Sequence, residues 1–255
     1  QWSQVWGNAE PQFLTALSST SSGGAAVALY TLGTLTTGGV DIQADLTVFE
    51  SVLVVLDSDG NYLWDSILSS GGNEQSHAVI YGVAGAPDGA VALAAQLMGG
   101  VQLGTNGSFS APAEGGVLIA VFESNGSLRY ADVYAGPDFG CALSADGSVV
   151  YGLNSGIRKL DPAGGILWTD TAWGDGFVEE SSMGTTGAMG VGGVFSGAVN
   201  LGGKDLVNDD YVLELNNFDI FVGCFDSDGN HKWSIARQGA EGQTELAGVS
   251  VDAQN

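Results

Sequence analysis

Four times in these 255 residues an acidic side chain is followed three positions later by glycine, and four positions beyond that by Trp or Tyr. The sets are Asp57, Gly60 and Trp64; Glu123, Gly126 and Tyr130; Asp161, Gly164 and Trp168; and Asp226, Gly229 and Trp233. Spacing held that strictly is the signature of a stacked repeat, in which each copy exists chiefly to bury its neighbour's apolar face. Such a chain declares its architecture more strongly than its chemistry.

Each set sits in the same order of signals. After Trp64, strand-like runs at 77–84, 90–97 and 117–122 are separated by the Pro87-Asp88-Gly89 turn and by a Gly/Ser-rich insert that opens with Val101-Gln102-Leu103. The fourth copy repeats this with 177–184, 188–195, Val199-Asn200-Leu201 and 218–225, and Val40-Asp41-Ile42 matches the insert segment in the first. The turn acids lie 66, 38 and 65 residues apart, and the short copy keeps strands at 139–144, 148–152 and 157–160 but drops the insert. Inserts of variable length on one connection belong to an exposed rim or a binding face. The run 51–56 does not alternate polar with apolar, which predicts a strand covered on both faces. Helix signals are almost absent, because 41 glycines interrupt every window long enough to be amphipathic.

These signals predict an all-β fold: a β-propeller-like array of four-stranded antiparallel blades stacked face against face, with a tight turn before each last strand. One domain is expected over 1–255, in four complete units of about 2–63, 64–129, 130–167 and 168–232 and a partial fifth at 233–255. The aromatics in register are Trp2, Trp64, Tyr130, Trp168 and Trp233, expected to pack as repeat-defining residues. Trp6 and Trp173, outside the register, are expected to be the more exposed. The chain then opens on a fourth strand and ends, around 245–251, on a first strand, which leaves the fifth blade half built. Truncation of a longer chain, imperfect closure, and strands donated by another chain each account for this, since free apolar edges invite partner strands.

With 29 acidic against 6 basic residues, the formal net charge is −23. Such a surface repels phosphate backbones and anionic headgroups, so nucleic acid is excluded as a partner. Cations, a basic protein, or simple solubility in a salty medium remain. The apolar runs are too short to cross a bilayer as helices, so no direct membrane insertion is expected. Cys141 and Cys224 fall on strands that are not neighbours and are expected to be buried free thiols. A leading Gln1 able to cyclise, with Asn-x-Ser sequons at Asn106 and Asn125, points to a secreted or cell-surface fragment matured from a precursor and glycosylated at those asparagines. Each sequon doubles as an Asn-Gly turn.

The stretch from Asp219 through Phe221-Val222, Phe225-Asp226-Ser227-Asp228-Gly229-Asn230 and Trp233-Ser234 resembles the repeat of the SBBP-type β-propeller family, roughly D-x-F-V-x-K-(F/Y/L)-D-x-D-G-N-x-x-W-S. The first and second units match more loosely, with Glu123 and Tyr130 as substitutes, and the third only from Leu160-Asp161-Pro162 to Trp168. The resemblance implies a propeller fold within a larger secreted or surface protein and brings no catalytic residue.

Asp57, Asp59 and Asn61, like Asp226 and Asp228, space oxygen side chains as a Ca²⁺ loop does, but glycine stands fourth and no Glu follows at position twelve, so a plain hairpin turn competes. Asp205, Asn208, Asp209 and Asp210, with Asp41 and Asp45 in the equivalent insert of the first unit, form a second candidate for Ca²⁺. His77 and His231 lie in no zinc spacing and beside no nucleophile elbow. Glu179-Glu180, Asp209-Asp210, and Asp170 with Asp175 are the carboxylate pairs glycoside hydrolysis would need, but sequential residues on a strand point to opposite faces and cannot by themselves flank one bond.

The expected function is therefore a non-catalytic structural or adhesion module of a secreted or cell-surface assembly, binding protein partners or neighbouring subunits through blade edges and variable inserts, with Ca²⁺ as the one candidate cofactor. A carbohydrate-binding, lectin-like propeller with a glycan ligand is the alternative, and a glycoside hydrolase is a more distant one.

Overall fold

The computed structural model describes all residues except 1, 2, 4, 5, 8, 38, 39, 72–74, 114, 136–140, 145, 154, 185, 209–217, 238–245, 247 and 252–255. Trp2, Asp209 and Asp210 therefore lie outside the described residues. The chain divides into two compact units, Gln1–Pro137 and Asp138–Asn255. Each holds two blades of the propeller type, four-stranded, antiparallel and joined as meanders, and no described residue is helical.

In the first unit, blade one runs β1 (Gln12–Ser19), β2 (Ala25–Thr31), β5 (Glu50–Leu56) and β6 (Tyr62–Ser69), with a separate hairpin of β3 (Thr34–Thr37) and β4 (Val40–Gln43) between its second and third strands. Blade two runs β7 (His77–Gly85), β8 (Val91–Met98), β11 (Gly116–Phe122) and β12 (Leu128–Ala135). Its insert, β9 (Gly100–Leu103) and β10 (Ser108–Ser110), leaves its own blade: β9 pairs with β6 through Leu68 with Leu103 and Ser69 with Gln102, lengthening the sheet of blade one to six strands. In the second unit, blade three is β13 (Cys141–Leu143), β14 (Val149–Leu153), β15 (Gly156–Leu160) and β16 (Ile166–Asp170). Blade four is β17 (Gly174–Met183), β18 (Met189–Val199), β20 (Asp219–Phe225) and β21 (His231–Arg237), with β19 (Leu206–Val207) paired to β18.

The repeating turn explains the motif. Asp57 N donates to Asn61 O at 2.9 Å and Gly60 N donates to Asp57 O at 3.0 Å, a type I turn closed by a residue in the left-handed region. The same two bonds close the turns that begin at Glu123, Asp161 and Asp226 before each last strand, and at Thr20, Ala86, Ser144 and Gly184 after each first strand. In all of these the fourth residue is glycine, with φ between 80° and 88°; an L side chain there costs about 1–2 kcal/mol. Just beyond each turn that begins at an acid, one residue of the outer strand is skipped in pairing. Leu63, Arg129, Leu167 and Lys232 are those bulges, so Trp64, Tyr130, Trp168 and Trp233 pair respectively with Val55, Val121, Lys159 and Cys224. The four aromatics occupy one backbone position.

A sequence repeat can be cut anywhere along its period; hydrogen bonding cuts this one after the aromatic strand, which closes the sheet that precedes it. The insert alignment needs correction. The residues that follow a left-handed glycine out of the second strand are Leu35 to Thr37 after Gly33, Val101 to Leu103 after Gly99, and Val199 to Leu201 after Gly197. Val40-Asp41-Ile42 instead belongs to the returning strand of its hairpin, as Ser108–Ser110 and Leu206–Val207 do in the other inserts. The apolar Ile42 misled the match: it is buried, but from the opposite arm.

Every residue of β5 and of β11 is buried, as runs without alternation require. Leu53 and Val55 point to blade two, packing with Ile80, Leu93, Leu118 and Phe122. Val52, Val54 and Leu56 point the other way, against Leu35 and Ile42 of the hairpin. Buried Ser51 bridges the blades: its Oγ donates to Ala78 O at 2.9 Å and accepts from Ile80 N at 3.2 Å. In the second unit, Val150 and Ile157 of blade three pack with Val178, Val191, Phe195, Phe221 and Phe225 of blade four. Cys141 and Cys224 are buried, and neither is in a disulfide.

Candidate functional site

The acids of the turns spend their oxygens on the turns. Asp57 Oδ1 accepts from Asp59 N and Asn61 N at 2.9 and 2.8 Å, and Asn61 Nδ2 reaches both carboxylate oxygens. Asp226 is held the same way by Asp228 N and Asn230, with Lys232 Nζ 3.0 Å from Oδ2. Asn61, and its backbone amide, hold the Asp57 carboxyl below the usual carboxylate range; Lys232, then Asn230, do so for Asp226. Glu123 replaces this arrangement with Arg129, whose Nε and Nη2 donate to its two oxygens at 2.8 and 2.9 Å while Nη2 also reaches Asp88.

The aromatics do a different job. In blade one, Trp64 lies over the turn of blade two: its Nε1 donates to Ser124 O at 3.1 Å, its ring stands 5.3 Å from Phe122, and a Cβ on Gly126 would come within 2.8 Å of its Cγ. Blade three repeats the seat on blade four. A Cβ on Gly229 would come within 3.1 Å of the Trp168 ring, and the carbonyl of Ser227, equivalent to Ser124, accepts from Lys159 Nζ at 2.8 Å. Tyr130 is half-buried. Trp233 differs: it is 49% exposed, and Ile235, two residues on and on the same side, is 44% exposed.

Blade four therefore carries an open face on the side where blade one receives blade two. Two hollows, of about 450 and 220 Å³, share Cys224 and Trp233 in their walls. The described residues near the C-terminal end occupy part of this side. Val251 N donates to Ser182 Oγ at 3.1 Å, and Val249, Val251 and Leu246 crowd the missing side chains of Gly190 and Gly192. Leu246 N donates to Glu179 Oε2 at 2.9 Å. The expected first strand around 245–251 is present as position without a ladder: the described residues 246 and 248–251 are not strand.

Two expectations about exposure are overturned. Trp173 is buried, stacked on Phe225 with centroids 5.4 Å apart, and Trp6 is half-buried against the blade-one cluster, whereas among the described residues the exposed tryptophan is Trp233, from inside the register. The register fixes where the side chain points, but burial depends on whether a blade arrives to cover it. A third correction concerns Glu179-Glu180. Glu179 is a bulge, because Val178 pairs with Gly193 and Glu180 with Gly192, so strict alternation does not hold between them. Burial, then the neighbouring Glu179 carboxylate, pushes the Glu180 carboxyl up to about 7.

Of the other expected site residues, Asp205 accepts from Asn200 Nδ2 at 2.6 Å, Asp41 from Thr36 Oγ1 at 2.7 Å, and Asp45 from Thr47 N and Oγ1 at 2.6 Å each. Among the described residues, no three His, Cys, Asp or Glu side chains converge as a metal set. Asn106 and Asn125 are both exposed on turns, and Asn125 Oδ1 accepts from Ser127 N and Oγ. His231 lies edge-on to Phe225, with Nε2 3.1 Å from Ser234 Oγ.

No protein-family profile and no curated protein sequence matches the chain. Solved structures do. A protein of unknown function from Bacteroides caccae aligns over 89% of this chain and 82% of its own with a TM-score of 0.45 at 13% identity. A streptogramin B lyase aligns over 93% and 86% with a TM-score of 0.42 at 10% identity. BamB from Moraxella catarrhalis aligns over 88% and 84% with a TM-score of 0.37 at 14% identity. Likeness at that level carries no activity across.

Proposed function

We propose that this chain is a non-catalytic interaction module, structural or adhesive, of a secreted or cell-surface assembly, binding protein partners through blade faces, edges and inserts, and built on a repeat of the SBBP type. The observation that carries the reading is the exposed apolar side of blade four, where Trp233 and Ile235 face solvent at positions that blade one buries in an interface. Exposed large apolar groups arranged on a sheet face mark association surfaces. The acidity of the chain fits partners other than nucleic acid, and the exposed sequons Asn106 and Asn125 fit an extracellular address. Cross-linking of the full chain in its native secreted or surface fraction, read by mass spectrometry, is expected to join a protein to blade four or the inserts. Recovery of only unlinked chain overturns the reading, as does turnover of labelled oligosaccharides for its non-catalytic part.

Trp233 also favours a second reading, a glycan-binding propeller, because an exposed indole beside a hollow is a stacking platform for sugar; saturable binding on a glycan array supports it. Ca²⁺ bridging rests on the acidic inserts, at Asp41, Asp45 and Asp205, and a calcium-dependent shift in melting temperature tests it.

A further inference from the structure

The junction between blades one and two records what this kind of face receives. Near the end of β7, Gly85 N donates to Ser18 Oγ at 3.3 Å, and the small residues Ala26 and Ala28 of β2 lie in the shared core with blade two. Behind that first strand come the rest of the incoming sheet and its turn: Phe122 beside Trp64, Gly126 beneath the ring, and the Ser124 carbonyl on Nε1. Blade four offers the same series. Ser182 stands two residues before its turn as Ser18 does, and its Oγ accepts from Val251 N. Gly190 and Gly192 take the places of Ala26 and Ala28, and Cys224 that of Val55.

The segment that ends at Val251 thus holds the place of the first strand, in the register of β7. The place of the turn is open: Trp233 and Ile235 are exposed, and Ile220 and Val222 on the same side of β20 are only half-buried while Phe221 and Phe225 on the other side are fully buried. We propose that this face is a docking site for a β-hairpin of the repeat's own kind, two apolar strands joined by an acid–Ser–x–Gly turn, carried by a partner polypeptide. Glycine is favoured because the residue is left-handed in both turns and a Cβ there would come within 2.8 Å of the Trp64 ring and 3.1 Å of the Trp168 ring, and an acceptor carbonyl is demanded by the indole N–H. A second copy is a poorer occupant, because two chains of net charge −23 repel.

The proposal rests on the interaction-module reading and names its site and ligand. The probe is a cyclised peptide of residues 116–135, shown by NMR to be a hairpin, titrated into the full chain by calorimetry and followed at the Trp233 indole N–H. Saturable one-to-one binding is expected, weakened about 30-fold by Trp233→Ala in the protein or by Gly126→Val in the peptide, the loss typical of an interface anchor. Circular dichroism of the Trp233→Ala protein is expected to be unchanged, since that side chain is half exposed. No saturable binding, or binding indifferent to both substitutions, overturns the proposal. So does a dimer that Trp233→Ala dissolves and the peptide leaves intact, since the face is then taken by a second copy. If the Trp233→Ala chain still cross-links its native partner while the hairpin fails to bind, the docking proposal falls and the interaction-module reading stands.

Discussion

The outer strands of blades one and four, β6 and β21, make one backbone twice. Each follows an Asp-Ser-Asp-Gly-Asn turn, each carries its bulge one residue before the tryptophan, and each pairs that tryptophan with the penultimate residue of the third strand. Their side chains meet opposite fates. Trp64, Ser66 and Leu68 are buried, whereas Trp233, Ile235 and Arg237 at the same positions are exposed. Nothing local distinguishes the two. The aromatic of this repeat is a reader of the following blade, and its burial is a property of the neighbour.

Substitution separates the two tryptophans. Trp64→Ala is expected to lower the free energy of unfolding by about 3–5 kcal/mol in urea melts, and Trp233→Ala by no more than about 0.5 kcal/mol; equal losses would undo that separation. Gly126→Ala combines a left-handed backbone with a clash against Trp64 and is expected to cost about 2–4 kcal/mol. Gly23→Ala has the same φ but its Cβ would meet nothing closer than 3.6 Å, so about 1–2 kcal/mol is expected, and a ranking reversed in thermal melts would remove the seat of the ring from the argument. Ser51→Ala strands Ala78 O and Ile80 N in the interface and is expected to cost about 1–3 kcal/mol, with faster amide exchange at Ile80 as the check. Glu180 ties stability to pH. Its folded-state carboxyl, near 7 against an ordinary 4.5, binds its proton more tightly than the unfolded chain does, so its contribution is fully present below pH 4.5 and is lost as pH rises towards 7. Glu180→Gln is expected to flatten that part of the stability profile, and an unchanged slope between those pH values counts against the shift.

Most of the architecture was legible because the turn has a chemical signature. An acid to cap the turn amides, glycine for the left-handed position and an apolar run on either side placed the strands at 77–85, 116–122 and 219–225 nearly to the residue. What escaped was whatever depends on the third dimension. The destination of β9 is set by the edge of a neighbouring sheet, the buried stacking of Trp173 by Phe225, and the pairing gap at Glu179 by a bulge, and none leaves a periodic mark. The candidate metal oxygens were legible as oxygens, but Asp57 and Asp226 proved to be partners of their own turns.

The strand pair β9 and β10 carries chain that belongs between two strands of blade two into the sheet of blade one, where Leu103 pairs with Leu68 and Gln102 with Ser69, so the insert of blade two loses its ladder when blade one melts. Blade three has no such insert, and its sheet ends at β16. Loss of order is therefore expected to be all-or-none across the first two blades, and stepwise, with blade three fraying at lower denaturant, in the other half of the chain.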